Sequence, residues 1–385
     1  MTTRRDVLTG GAATAAVAAL PATIGMAAPA AAAASSGAAA ACGEPSGEPA
    51  IIRELRDLLA KNPDLKAALE QSVKKANLKG HESLKDFYDY AIKLASTPPR
   101  ADTLLENIKT FYYLVDQSET LRKSDTFQKW VVDFADRWGE YLDTLDSARH
   151  IESFREDPSF PMEDYQEAPS GWLTFNQFFA REVKPGKRPV TGLADDTTVV
   201  QPADSVFKGV WPIHDGATVT AKGMTHNVKE LLGDSPYRDV FDGGVFTHSF
   251  LDVNDYHRYH TPVAGRVLDK RILEGRMVLD VVKKADGSLE AKDGTGYQFR
   301  QQRGLIVLDS PVGYVAVLPI GMAQVSSVNL TPDVGDHLHK GQEFGYFLFG
   351  GSDIITLFQA DAVYLEATEG RHYKQGKWIG RAKST

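Results

Sequence analysis

The residues best suited to chemistry form the tetrapeptide Gly350-Gly351-Ser352-Asp353, which is set between apolar residues. A serine hydroxyl can attack the carbonyl of the residue before it, and a glycine there leaves that carbonyl open to attack because it has no Cβ. An N-to-O acyl shift gives an ester, β-elimination releases the upstream chain, and the remaining dehydroalanine hydrolyses to a pyruvoyl group and ammonia. Taken alone, the tetrapeptide is more typical of a tight turn between strands.

Such a cleavage needs a base, and a histidine oriented by a carboxylate can take the proton from a serine. His260 in YHRYH and Asp204 in QPAD are the candidates. A pyruvoyl ketone would then condense with a substrate amine to a Schiff base and accept the electrons left by departing CO2. A nearby acid must reprotonate the product carbon, and His257 is the predicted donor. The pattern therefore predicts the precursor of a decarboxylase.

Three further residues are tentative substrate-binding residues. Arg258 is either a buried ion-pair partner or a binder of a substrate carboxylate. Asp353 would lie next to the pyruvoyl group, where it either attracts an amine or caps a turn. His248, in the segment FTHSF, is a weaker candidate for lining the pocket. No metal ion or added coenzyme is implied.

Length and charge limit the classes of protein that fit. The chain has 385 residues, enough for two domains. Its net charge is -8, with acidic and basic residues interspersed, which gives no electrostatic basis for binding nucleic acid. Cys42 is the single cysteine, so no internal disulfide can form.

Residues 1–45 are predicted to be an export signal followed by an alanine-rich linker. The paired arginines Arg4 and Arg5 precede the small-residue apolar run GGAATAAVAAL, which is the pattern of the twin-arginine route. We therefore expect a periplasmic or extracellular protein. A disordered alanine-rich tail is the alternative, and lipidation at Cys42 is a weaker one.

The pattern of residues in the remaining chain changes from helical to β-rich near its middle. Apolar residues recur with a helical period up to about residue 147, and Ser83 and Ser124 are placed as N-caps. Residues 148–170 are acidic and proline-rich, as in a linker, and residues 171–181 are predicted to form one amphipathic helix. Beyond that, short β-rich runs alternate with Gly, Asp and Pro. The prediction is an α+β chain, with an α-helical domain over 48–165 and a mainly antiparallel β catalytic domain over 170–385.

Several segments of the second half match one family in their order along the chain. These segments are FNQFFAREVKPGKRPV, VVQPADSV, LDVNDYHRYHTPVAG, VLPIGMAQVSSV and GDHLHKGQEFGYFLFGGSDIITLF. With them, the stretch from about Gly171 to Gly370 resembles the phosphatidylserine decarboxylase family of pyruvoyl enzymes. Together the segments are specific, although the Gly-Gly-Ser sequence alone would mean little.

The resemblance implies roles for single residues. It implies a triad of Asp204, His260 and Ser352 for maturation, with His257 acting in decarboxylation. Cleavage would fall between Gly351 and Ser352. The two resulting chains would stay together as a heterodimer, and the sequence does not determine whether that unit forms a homo-oligomer.

Two departures from the family's pattern led to a prediction about the substrate. The residue after the serine is Asp353, where the phospholipid enzymes usually have threonine, and the N-terminal half carries an export signal and a helical domain. That arrangement is similar to a soluble branch acting on free amino acids. We therefore predict a decarboxylase of a free L-amino acid, tryptophan-like in selectivity. The alternatives are decarboxylation of phosphatidylserine, which would bring the chain to a membrane, and a binding protein that never cleaves.

Overall fold

The computed structural model describes most of the chain beyond its N-terminal segment. The described residues are 48–214, 216–221, 224–276, 279, 281–291, 297–322, 328–349 and 351–383. The predicted export signal at 1–45 and Cys42 therefore lie outside the described residues. The described residues belong to one compact unit.

The N-terminal part is helical, as its apolar periodicity predicts. Ser83 accepts a hydrogen bond from the backbone N–H of Asp86, whose carboxylate accepts one from the N–H of Ser83, so the helix begins with a capping box. Ser124 accepts from the N–H of Phe127, which confirms the second predicted N-cap. The helices are α1 (Ala50–Lys61), α2 (Pro63–Ala76), α3 (Leu84–Leu94), α4 (Leu104–Val115), α5 (Glu119–Lys123), α6 (Asp125–Leu142), α7 (Ile151–Arg155), α8 (Phe175–Phe179) and α9 (Val228–Leu232).

Two local predictions were wrong between residues 148 and 181. The supposed linker contains α7 and buries Phe154 and Phe160, so part of it packs as core. The helix predicted over 171–181 is only the short α8. Gly171 has a φ of +74°, and Thr174 is extended and caps α8 by accepting from the N–H of Gln177, so the helix cannot begin earlier.

The second half is β-rich, and its strands pair antiparallel throughout the described ladders. This confirms the predicted α+β class. The strands are β1 (Tyr165–Gln166), β2 (Glu182–Val183), β3 (Thr198–Val200), β4 (Ser205–Pro212), β5 (Thr218–Ala221), β6 (Met224–Asn227), β7 (Val245–Leu251), β8 (Arg258–His260), β9 (Gly265–Leu273), β10 (Val281–Lys283), β11 (Leu289–Ala291), β12 (Arg303–Ser310), β13 (Gly313–Met322), β14 (Val328–Leu330), β15 (His337–Leu338), β16 (Glu343–Phe347), β17 (Gly351–Phe358), β18 (Val363–Leu365), β19 (His372–Tyr373) and β20 (Trp378–Ala382).

A central sheet organises the β-rich part. Among the described strands its order is β15-β9-β12-β13-β17-β7-β4-β19, with β17 held between β13 and β7. A smaller sheet, β14-β16-β8, carries the segment around His260. Within the part of the chain that the structure describes, no helix is both long and apolar enough to cross a membrane.

The two faces of the central sheet belong to different hydrophobic clusters. On β17, Ile354 packs in the larger cluster and Ile355 in the smaller one, as expected when successive side chains point to opposite faces. The larger cluster also contains residues of the helical part, among them Phe134 and Trp138. The helical part therefore covers one face of the sheet, and its core runs across the boundary predicted at 165–170.

Candidate active site

Ser352 is held in the middle of the central sheet. It pairs with Gly321 of β13 on one side and with Leu251 of β7 on the other. Gly351 directly precedes Ser352 and is the first residue of β17. The peptide bond between Gly351 and Ser352 therefore lies in a strand, and not in the tight turn that the tetrapeptide suggests by itself. Gly350 lies outside the described residues.

The hydroxyl of Ser352 has unusual surroundings. Its side chain is fully buried, and Oγ has no hydrogen-bond partner among the described residues. A buried hydroxyl without a partner costs free energy, so most proteins pair such groups. Here the oxygen belongs to the residue directly after Gly351 and has no hydrogen bond among the described residues. A serine hydroxyl directly after a glycine is what the formation of a serine-derived pyruvoyl group requires.

The ring of His260 is buried and uncharged. Its Nδ1–H donates to the carbonyl oxygen of Gly341 at 2.8 Å, because a carbonyl can only accept. Its Nε2 therefore carries the lone pair and accepts from the hydroxyl of Tyr256 at 3.2 Å. Burial lowers the pKa of His260 to about 4, so the ring is uncharged at neutral pH.

Asp204 is paired with an arginine that the sequence interpretation did not single out. Arg188 donates from Nε to both carboxylate oxygens at 2.8 and 2.9 Å, and from Nη2 at 2.6 Å. The backbone N–H of Gln375 adds a bond of 2.8 Å. Arg188 belongs to the quoted segment KPGKRPV, which was the available signal for it. No hydrogen bond joins Asp204 to His260, or His260 to Ser352, among the described residues.

Arg188 also joins Asp204 to a second buried carboxylate. Its Nη1 donates to Asp164 at 2.8 Å, and Lys374 and Lys187 approach the same carboxylate at 2.8 and 2.9 Å. Burial alone would raise the pKa of Asp164, but the hydrogen bonds from these three cations lower it well below its usual range. The chain segments of Asp204 and His260 meet nearby, where the N–H of His260 donates to the carbonyl of Pro202 at 2.8 Å.

His257 lies in an apolar setting, close to the residues that precede Gly351. Its ring packs on Phe179 of α8 with centroids 3.9 Å apart, and neither ring nitrogen has a hydrogen-bond partner in the described part of the chain. Burial, and then the charge of Arg181, lower the pKa of His257 well below its ordinary value. Phe179 also contacts Phe349 at 5.4 Å, which places His257 and the residues before Gly351 against the same helix.

The three tentative substrate-binding residues each have a partner within the protein. Asp353 belongs to the opposite face of the sheet from Ser352, where its Oδ1 is 3.3 Å from Nε2 of His248. Both side chains are buried. Arg258 is an ion-pair partner, since its Nη1 contacts Glu343 at 2.7 Å and its Nε donates to the carbonyl of Ala180.

Comparison with known proteins identifies the family. A family model described as phosphatidylserine decarboxylase matches residues 175–381, which include Asp204, His257, His260 and Ser352. The chain belongs to the phosphatidylserine decarboxylase family. Members of this family are pyruvoyl-dependent carboxy-lyases, made as proenzymes whose serine becomes a covalent pyruvoyl group by autocatalytic cleavage. Membership of the family confirms the predicted enzyme class and cofactor as those of the family.

Curated relatives of the chain are named phosphatidylserine decarboxylase proenzymes. The chain is 30% identical over 235 residues to phosphatidylserine decarboxylase proenzyme 2 of Oryza sativa, covering 60% of this chain and 37% of the relative. It is 33% identical over 193 residues to the proenzyme of Anoxybacillus flavithermus, covering 50% and 69%. The proenzyme of Halorhodospira halophila is 28% identical over 235 residues, covering 56% and 76%. The chain thus spans well under half of the rice relative and about two thirds to three quarters of the bacterial ones.

The prediction of a free amino-acid decarboxylase was wrong. These relatives are named phosphatidylserine decarboxylase proenzymes, which supports the phospholipid alternative. The physical reason is the position of Asp353, the residue that suggested an amine-binding carboxylate. Because adjacent residues of β17 point to opposite faces, Asp353 faces His248 and not the side of the sheet on which Ser352 lies.

We predict that Arg188→Met destabilises the protein far more than Lys187→Met. Arg188 is 3% exposed, and its loss leaves the buried carboxylate of Asp204 without a cation and removes one of the three cations that contact Asp164, which should lower the free energy of unfolding by about 3–5 kcal/mol. Lys187 is 41% exposed, so its loss should cost less than about 1 kcal/mol. Urea unfolding of the two variants measures the difference. Equal losses would contradict a central role for Arg188.

We also predict the pH dependence of self-cleavage. Because the pKa of His260 is about 4 in the folded precursor, its cleavage rate should stay constant from pH 8 to about pH 5 and fall below that. In the unfolded chain the pKa of His260 is close to the ordinary histidine value of 6.5, so His260 should also reduce the stability of the fold as the pH falls from 6.5 towards 4.

The measurement uses precursor from cell-free synthesis, transferred to buffers from pH 4 to pH 8, with the cleaved fraction followed by mass spectrometry. Circular dichroism at each pH serves as the control for folding. A rate that halves near pH 6.5 while the protein remains folded would mean that His260 is not the buried neutral base described above.

Proposed function

We propose that this chain is the precursor of a pyruvoyl-dependent decarboxylase that converts phosphatidylserine to phosphatidylethanolamine. The observation that carries the proposal is the buried Ser352 hydroxyl, which follows Gly351 directly and has no hydrogen-bond partner among the described residues. It lies within the region matched by the family model. The names of the relatives supply the substrate.

Maturation would begin with attack of Ser352 Oγ on the carbonyl carbon of Gly351. The lone pair on Nε2 of His260 takes the hydroxyl proton, after the hydroxyl of Tyr256 has moved from that nitrogen. The C–O bond forms, the C–N bond breaks, and the proton passes to the freed amino nitrogen. The charge of Asp204 favours protonated His260, whereas Arg258 and Arg188 oppose it, so Asp204 acts here through its field and not through a hydrogen bond.

In the mature protein the pyruvoyl group supplies an electron sink for the loss of CO2. His257 is the proposed proton donor to the product carbon. Its two ring nitrogens are buried and lack partners within the described chain, so they are available to a substrate. Burial and Arg181 disfavour its charged form, and a bound substrate anion would shift its pKa back upwards.

The two cleavage chains would remain together because of the ladder around β17. From Ser352 to Phe358 the strand pairs with β7 and β13, which belong to the long chain. The short chain would also keep β18, β19 and β20, of which β19 pairs with β4 and β20 with β3. Cleavage would therefore leave a central strand in place, with its new end beside Gly321 and Leu251.

We predict that the purified protein contains a fragment of residues 352–385, of about 4 kDa, which gains mass when an amine and borohydride are added because it begins with a ketone. Ser352→Ala should remain one chain and take no label, because it has no hydroxyl. Ser170→Ala, at an exposed serine, serves as the matched control. Intact mass under denaturing conditions gives the result.

The substrate is tested with the same preparation. Cleaved protein should release phosphatidylethanolamine from phosphatidylserine vesicles, and Ser352→Ala should not. A protein that never cleaves and takes no label would support the binding-protein alternative. A cleaved, labelled protein that leaves phosphatidylserine unchanged would refute the proposed substrate alone.

We further propose that residues 1–45 direct export by the twin-arginine route. The support is the sequence pattern of Arg4, Arg5 and the apolar run after them. In a host with this route, Arg4→Lys combined with Arg5→Lys should keep the protein inside the cell, as shown by fractionation and immunoblot. Arg53→Lys with Arg56→Lys is the matched control. Unchanged export of the first double variant would refute the proposal.

A further inference from the structure

Arg181 lies two residues beyond the end of α8 and is only 1% exposed. Its Nη2 donates to the carbonyl of Asn254 at 2.9 Å and to that of Asp255 at 2.8 Å. Its Nη1 makes longer bonds, of 3.4 and 3.5 Å, to two carbonyls in the last turn of α8. The guanidinium therefore joins the end of α8 to the segment that leads into His257.

The charge of Arg181 has no carboxylate in contact among the described residues, because the hydrogen bonds of its guanidinium go to backbone carbonyls. Two carboxylates act on it from a greater distance, and each contacts another basic side chain. Asp255 is 2.7 Å from His372, and Asp204 is 2.6 Å from Arg188. Burial lowers the pKa of Arg181, but a guanidinium keeps its proton in proteins, so a positive charge stays buried here.

Both features of Arg181 act on the ring of His257. The hydrogen bond to Asp255 fixes the backbone two residues before that ring, and the ring itself packs on Phe179, in the same turn of α8 that Arg181 contacts. The charge of Arg181 adds to the effect of burial in lowering the pKa of His257, and the carbonyl of Asp255 acts in the opposite direction. Arg181 therefore influences both the position of the ring and its protonation.

The elements packed on the ring of His257 contribute no other titratable side chain to it within the described part of the chain. From α8 the contact is Phe179, and from β16 it is Phe347, with centroids 6.5 Å apart. On the segment of His257 itself, Tyr256 and Arg258 bond to other partners. The side-chain charge that acts on His257 is therefore that of Arg181.

We propose that Arg181 is a positioning residue for the decarboxylation step, which holds the ring of His257 on Phe179 and presents a buried positive charge that an anionic substrate compensates. The inference rests on the proposed function and adds to it a residue that acts through His257. Its chemistry concerns the single proton that each turnover consumes.

Loss of CO2 breaks a C–C bond, and a C–H bond takes its place. The ring nitrogen of His257 gives the proton to the product carbon and regains one from water. In the free protein the charge of Arg181 keeps this ring neutral. The negative charge of a bound substrate offsets that of Arg181, so the ring takes up its proton when the substrate is present.

The test separates the charge of Arg181 from its hydrogen bonds. Arg181→Met removes both, and Arg181→Lys keeps the charge but lacks the planar fork that bonds to two carbonyls. Arg137→Met changes an exposed arginine of α6 and serves as the matched control. Intact mass shows whether each protein has cleaved before Ser352, and kinetics with phosphatidylserine in mixed micelles are measured from pH 5 to pH 9.

The pH dependence of kcat/KM reports the free protein, and that of kcat reports the complex with substrate. In the wild type, kcat/KM should begin to fall at a lower pH than kcat, because the substrate offsets the charge of Arg181 only in the complex. Arg181→Met should move the fall in kcat/KM to higher pH by about one pH unit, the size expected for one nearby charge inside a protein. Arg181→Lys should keep the wild-type pH dependence and lower kcat roughly tenfold, because the ring is misplaced. Arg137→Met should change neither.

An unchanged pH dependence of kcat/KM in Arg181→Met would overturn the inference, and so would a wild-type kcat in Arg181→Lys. If Arg181→Met does not fold by circular dichroism, Arg181→Gln, which can still donate to a carbonyl, replaces it in every measurement. A wild-type protein that leaves phosphatidylserine unchanged would instead refute the proposed function.

The effect of the charge is also measured without activity, in the Ser352→Ala precursor. The imidazole proton signal of His257 in NMR spectra is identified by its loss in His257→Gln. This signal should titrate at higher pH when Arg181→Met is added, and at the same pH when Arg137→Met is added. Equal titration in the precursor with and without Arg181→Met would overturn the inference, whatever the substrate of the mature protein.

Discussion

The alternation of side chains along β17 is the constraint on which the site depends. β17 is paired on both sides, so its register cannot shift by one residue without breaking two ladders. Ser352 is thereby committed to the face covered by the helical part, and Asp353 to the opposite face beside His248. One consequence is chemical, because the side chain of Asp353 cannot act on the face of the sheet where Ser352 lies. Another is structural, because whatever approaches Ser352 must come from the helical side.

Charge and burial are arranged so that the ring of His260 stays uncharged. The buried carboxylate of Asp204 is neutralised by Arg188, which also contacts Asp164 together with Lys187 and Lys374. His260 is left to the carbonyl of Gly341 and the hydroxyl of Tyr256, and burial lowers its pKa. A carboxylate hydrogen-bonded directly to the ring would favour the imidazolium, which has no lone pair with which to accept a proton. The arginine therefore makes a buried aspartate compatible with an uncharged histidine.

The helical part contributes contacts at the site itself. Trp138 of α6 packs on Phe349 at 5.4 Å, and Asn176 of α8 accepts a weak hydrogen bond from the N–H of that residue. Phe179 of α8 supports the ring of His257. These contacts hold the residues immediately before Gly351 from the side opposite the sheet. Helix α6, whose sequence carries no chemical motif, thus joins α8 in placing the residues before Gly351.

The sequence by itself determined the α+β class and many of the helices and strands, and it predicted the candidate reacting residues. The helical period of α6, the Ser83 and Ser124 caps and the β-rich second half were readable because they depend on neighbours in the chain. The family segments also pointed to Ser352 and its partners. Only the tertiary structure decided which groups meet, since the partners of Asp204 and Asp353 come from distant segments, Arg188 and His248. Contacts set by strand order and packing leave no local signal, which is why the role suggested for Asp353 misled the choice of substrate.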